Sequence, residues 1–133
     1  MEKPIGIKIA VACEILILLL MLAIFWSMNS ELEAAKTMMA GADDVTLGNI
    51  TISATGVEDI YNVMYAIAYI TLFVGLLHTI PAYLLWKGNK IGIYAATLLP
   101  LLDILIAWWI VVMSLPVIYL IWFDKKTKGH FSS

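Results

Sequence analysis

The sequence predicts an all-α, polytopic membrane protein, a four-transmembrane-helix bundle with one acidic extracytoplasmic loop, in a single membrane domain covering residues 1–133. Three observations predict it. Hydrophobic residues make up 62% of the chain and charged residues 14%, where a soluble domain carries roughly 25% charged residues. Seven of the eight lysines flank apolar runs in three places: Lys3 and Lys8, then Lys87 and Lys90, then Lys125, Lys126 and Lys128. The one long polar stretch, 29–59, holds six acids and only Lys36. Positive residues stay on the cytoplasmic side of a membrane. The lysine groups therefore mark cytoplasmic points, both termini lie on the cytoplasmic side of the cell membrane, and 29–59 is an outer loop.

The first span is 5–28, which at a rise of ~1.5 Å per residue crosses a hydrocarbon core of ~30 Å with some tilt. Lys3 and Trp26 anchor its ends. The run is too long for the apolar part of a signal peptide and lacks a small-x-small cleavage site, so it reads as a retained helix. In the outer loop, Ser30 and Glu33 form a capping box for a brief helix from Glu31 to about Ala40, stopped by Gly41. Gly48-Asn49 between two β-rich triplets is a hairpin signal. Asn49-Ile50-Thr51 is also a glycosylation sequon.

Thr55 and Glu58 make a second capping box, opening a helix whose span covers 60–86 and which Pro81 should kink. The remaining apolar run is long for one span and short for two of ~20 residues. Topology decides it: one span would carry the last three lysines outside, two return them. The third span is then 89–102 and the fourth 104–123, with Asp103 read as the helix cap at the outer turn in preference to an ion site, and Trp108 and Trp109 near the outer headgroups.

Lys3-Pro4-Ile5-Gly6 leading into the first helix, Leu85-Trp86-Lys87-Gly88-Asn89-Lys90 with Tyr94 after the second, and Tyr119-Leu120 before the polar tail give the chain its signposts. In these the chain resembles a family of small four-span membrane proteins, mainly archaeal and of uncharacterised function. The resemblance implies fold and location, and carries no activity to particular residues.

Close helix approach in lipid needs small residues at four-residue spacing. Gly6 and Ala10, Thr71, Gly75 and Thr79, and Gly92 and Ala96 are the expected seams. Tyr61, Tyr65 and Tyr69 form an i, i+4, i+8 stripe read as packing and interfacial anchoring. Lys8 is expected to snorkel to the headgroups without a partner. Cys13, the only cysteine, excludes disulfide, CxxC and cysteine-zinc chemistry and reads as a small packing residue. A net charge of −2 without arginine leaves no footprint for nucleic acid.

Ionisable groups inside apolar spans cost ~2.5 kcal/mol or more to insert, so they mark candidate sites. Glu14 lies on the face of Gly6 and Ala10, and His78 sits at a matching depth on the antiparallel second helix. The candidate proton or ion site, or interhelical polar contact, is Glu14 with His78, completed by Thr79 or Thr71. No cofactor, metal or catalytic set is indicated: the chain has no Gly-rich phosphate loop and no His/carboxylate metal spacing, so an enzyme is not expected. Base rates favour a structural or accessory membrane subunit that packs in the lipid bilayer with itself or a membrane protein partner. The alternative is a proton- or cation-coupled small transporter or channel-forming oligomer using Glu14. Small multidrug transporters are similar in having four short spans and a glutamate at this depth.

Overall fold

A computed structural model describes residues 2–40 and 44–131. The elements, in order, are α1 (Ile5–Met38), β1 (Asp44–Leu47), β2 (Ile50–Ser53), α2 (Ala54–Leu77), α3 (Thr79–Lys87), α4 (Lys90–Ile106), a single 3₁₀ turn (Trp108–Ile110), α5 (Val111–Phe123) and α6 (Lys125–His130). Among the described residues the regular structure is helical apart from one small hairpin. Among the described residues two helices, Ile5–Met38 and Ala54–Lys87 when α2 and α3 are taken together, are long and apolar enough to cross a membrane. Four helical columns stand side by side: α1 against α2, α3 and α5, and α4 against α3 and α5.

α1 runs 34 residues without interruption, about 51 Å at the helical rise. The separate helix expected from Glu31 is its continuation. Between Ile7 and Met38 there is no glycine or proline to stop it, so Ser30 has no helix start to cap. Gly41, the expected stop, lies outside the described residues. The hairpin forms as the sequence predicts, with Leu47 paired to Ile50 and Asp44 to Ser53. Gly48 supplies the positive φ of 62° that the two-residue turn requires. α2 starts one cap earlier than expected: the Ser53 hydroxyl, not Thr55, accepts the Gly56 N–H at 3.2 Å. The tyrosine stripe faces α1, where Tyr61 donates to Met39 Sδ at 3.0 Å, Tyr65 donates to Glu33 Oε1, and Tyr69 packs on Phe25.

The largest departure is the break between the last two columns. It falls at Ala107, which is extended (φ −154°, ψ 102°), rather than at 101–103. Asp103 is thus inside α4 and caps nothing. Pro100 removes only one backbone donor, whereas ending the helix at 102 would strand several carbonyls in apolar surroundings. The exposed Trp108 and Trp109 follow at the turn.

The interior falls into two apolar clusters. A proximal one, near the start of α1, joins Ile7, Ala10, Leu85, Ala96, Val117, Ile121 and Phe131. A distal one joins Ile17, Met21, Val74 and Ile110. Gly75 lets α2 close on α1, since a Cβ there would lie 2.6 Å from the Met21 Cβ. Thr71, Gly75, Gly92, Ala96, Gly6 and Ala10 all lie in buried seams, but Thr79 is exposed. At the proximal end Lys3 donates to the Trp86 carbonyl at 3.0 Å and sits over the Trp86 ring. Lys8 pairs with Glu2 at 3.1 Å instead of standing alone, both being exposed.

α6 folds back over the proximal end and buries Phe131. Asp124 caps it, accepting the Thr127 hydroxyl at 2.6 Å and the Thr127 N–H at 2.8 Å. These bonds hold the Asp124 carboxyl below its ordinary range. A depressed folded-state pKa stabilises above the unfolded value and is lost as pH falls through the folded one. The Thr127 amide should therefore stay protected from hydrogen exchange through the usual carboxylate range and lose protection only below it. In Asp124→Asn that acid-dependent loss should disappear.

Candidate functional site

The side chains that interrupt the apolar interior come from three columns. Glu14 arrives on the α1 stripe Gly6, Ala10, Glu14, Ile17, Met21, all buried. The i, i+4, i+8, i+11, i+15 spacing of that stripe keeps one face turned inward. His78 sits at the joint of α2 and α3 (φ −64°, ψ −16°). That joint has a local cause: Pro81 has no N–H to offer the carbonyl four residues earlier, on Leu77, where α2 ends. His78 instead takes a tight bond from its N–H to the Gly75 carbonyl at 3.1 Å. Asp103 comes from α4, on the buried stripe Gly92, Ala96, Pro100, Asp103.

The imidazole of His78 bridges the two acids. Nδ1 lies 2.5 Å from Glu14 Oε2, and Nε2 lies 2.9 Å from Asp103 Oδ1. Glu14 and His78 are each 1% exposed and Asp103 is 0% exposed, so water screens none of them. One ring therefore ties α1, the α2–α3 joint and α4 together through hydrogen bonds in which at least one partner is ionised.

Proton counting defines what the trio can do. An imidazolium between two carboxylates and a neutral imidazole between one carboxylate and one carboxylic acid contain the same protons, with one net negative charge. They interconvert by moving a proton along an existing hydrogen bond. A third proton makes the trio neutral. Charge taken into a medium of low dielectric is costly, so what the geometry offers is a chain of three groups able to pass a proton along existing hydrogen bonds.

The sequence-predicted residues are thus divided. Glu14 and His78 meet. Thr71 and Thr79 do not join them: the Thr71 hydroxyl donates to the Ile67 carbonyl at 3.0 Å and the Thr79 hydroxyl to the Leu76 carbonyl at 2.8 Å. Threonine in a helix commonly satisfies itself this way, and Thr79, next after His78, is turned out of the interior by the helical period. Asp103, expected as a cap, is the second acid. Its signal was the eleven-residue interval from Gly92, which puts it on the same helix face. Among the described residues no group of three or more His, Cys, Asp or Glu side chains is arranged to hold a metal ion.

No protein-family model matches the chain, and no curated protein or solved structure is significantly similar to it.

Proposed function

We propose that the protein is a multi-pass integral membrane protein with four spans, in which the buried trio loads and releases one proton in the course of proton-coupled transport. The four-span reading is supported by where the apolar surface lies. Every column turns large hydrophobic side chains outward: Leu19 on α1, Ile70 and Phe73 on α2, Leu101 and Leu105 on α4, Val112 and Leu115 on α5. A water-facing protein rarely exposes a contiguous apolar surface of more than a few hundred Å². The lysine groups then lie together on the cytoplasmic side, and the hairpin end faces out.

The observation that carries the proton reading is His78 held between two acids with no water between them. An intramembrane ionisable group is by default a functional group, and three sharing protons across separate helices form a relay. In proteoliposomes under a pH gradient, proton flux through the parent should exceed that of empty vesicles, and Glu14→Gln and Asp103→Asn should each reduce it by roughly a hundredfold. Parent flux equal to empty vesicles removes the transport reading.

A second reading, an accessory subunit, is favoured by a different feature. At the hairpin end α1 and α2 enclose a recess of about 420 Å³ lined mainly by Met28, Leu32, Met39, Ile52, Ile60 and Met64. Methionine-rich surfaces adapt to varied apolar partners, and a partner membrane protein seated there would use this end for assembly.

A further inference from the structure

A further buried polar side chain lies at this depth, on the column that the trio leaves out. On α5 the buried residues are Ser114, Val117 and Ile121. Ile110, four residues before Ser114, belongs to the distal apolar cluster, and Val117, three residues after it, to the proximal one. The same bracketing holds for the trio. Glu14 lies between Ala10 and Ile17, His78 between Val74 and Leu85, and Asp103 between Ala96 and Ile106, with the first and second clusters on opposite sides each time. All four polar residues therefore occupy one layer.

In that layer two buried atoms have no hydrogen-bond partner among the described residues: Asp103 Oδ2 and Ser114 Oγ. Asp103 and Ser114 are both fully buried, and α4 packs on α5. Buried polar atoms left unpaired cost free energy, and the usual remedy is an internal water making about three hydrogen bonds. The acids and bases facing this point are Glu14, with half-buried Cys13 beside it, from α1, His78 from the α2–α3 joint and Asp103 from α4. The buried face of α5 brings only the serine.

We propose that Asp103 Oδ2 is the atom on which the exchangeable proton is loaded, and that a single bound water links it to Ser114 Oγ. The inference rests on the proton reading above. The balance is direct. In the anionic trio both ring nitrogens carry hydrogen toward Glu14 Oε2 and Asp103 Oδ1, so those positions are occupied. The arriving proton forms an O–H bond on Oδ2, which turns from acceptor to donor and gives its hydrogen bond to the water. The water in turn donates to Ser114 Oγ. Release reverses these steps, with no other bond made or broken. Ser114 is a positioning residue: it holds the water and takes no proton itself.

Infrared difference spectroscopy of the whole protein in lipid, between acidic and alkaline states, tests this. Among the carboxylic-acid C=O bands that appear on acidification, one should shift when aspartate carboxyls are labelled with ¹³C, stay in place when glutamate carboxyls are labelled, and vanish in Asp103→Asn. In Ser114→Ala it should move to higher frequency, as expected for an acid that has lost its hydrogen-bond acceptor, and Ser114→Thr should restore it. An O–H band sensitive to H₂¹⁸O should be lost in Ser114→Ala and regained in Ser114→Thr. A band that shifts with glutamate labelling instead, or one that Ser114→Ala leaves in place, overturns the proposal. Because these bands report protonation without flux, silent vesicles together with a Ser114-sensitive Asp103 band would remove transport and leave the water site standing.

Discussion

Replacing His78 with alanine is expected to destabilise the protein by about 3–5 kcal/mol, the cost of removing one partner from a buried ionic group. Among the described residues the ring is the hydrogen-bonding link between α4 and the other two polar elements at this depth: it meets Glu14 on one side and Asp103 on the other. Without it two fully buried acids lose their donor and a ring-sized void is left between them, so both terms have the same sign. Glu14→Gln should be far milder, about 1–2 kcal/mol, because an amide of the same shape still meets the ring with a hydrogen bond. Thermal unfolding in a mild detergent checks the order. A His78→Ala midpoint equal to that of Glu14→Gln would contradict the bridging role, since a ring holding only one acid would lose no more than the glutamine does.

Gly92→Ala is expected to cost about 1–3 kcal/mol, although alanine is the better helix former. A Cβ at this position would lie 2.8 Å from the Leu85 backbone nitrogen and 2.9 Å from the Leu84 Cβ. Backbone cannot step aside as a flexible side-chain tip can, so α3 and α4 must separate. Separating them moves His78 away from Asp103, and the same substitution should therefore reduce flux as well as stability. Gly129 in α6 is the control, because a Cβ there meets open space. Gly129→Ala should be neutral or stabilise by up to about 1 kcal/mol. Equal unfolding midpoints for the two variants would refute the close-approach argument.

How much of this was legible in the sequence differs between the two halves of the chain. Glu14 and His78 could be paired from depth alone, since each is a known number of helical rises from a lysine-marked end. The hairpin was legible because Gly48 is a residue that tolerates the turn's left-handed backbone. Asp103 was misread because its chemistry suits two places: short acids cap helices, and they also pair with imidazoles. Local sequence favours the cap, while the periodic stripe from Gly92 favours the interior, and only packing decides between them. The position of the α4–α5 break followed the same course, with Pro100 a visible stop signal that the cost of unbonded carbonyls overrode. Ser114 gave no warning at all, because a lone serine in an apolar helix is ordinarily satisfied by its own preceding turn.

The polar layer lies between two apolar plugs of unequal build. The proximal plug is reinforced by Phe131, carried in from the far end of the chain by α6, whereas the distal plug has four buried side chains among the described residues. Under the proposed transport reading, a proton reaching the rung in the middle would have to pass one plug while the other stays shut, so that the site opens to a single compartment at a time. The lighter plug is the easier to displace, and it is the one toward which α1 and α2 extend. Under that reading the molecule would be bolted at the end where α6 meets α1 and latched at the other.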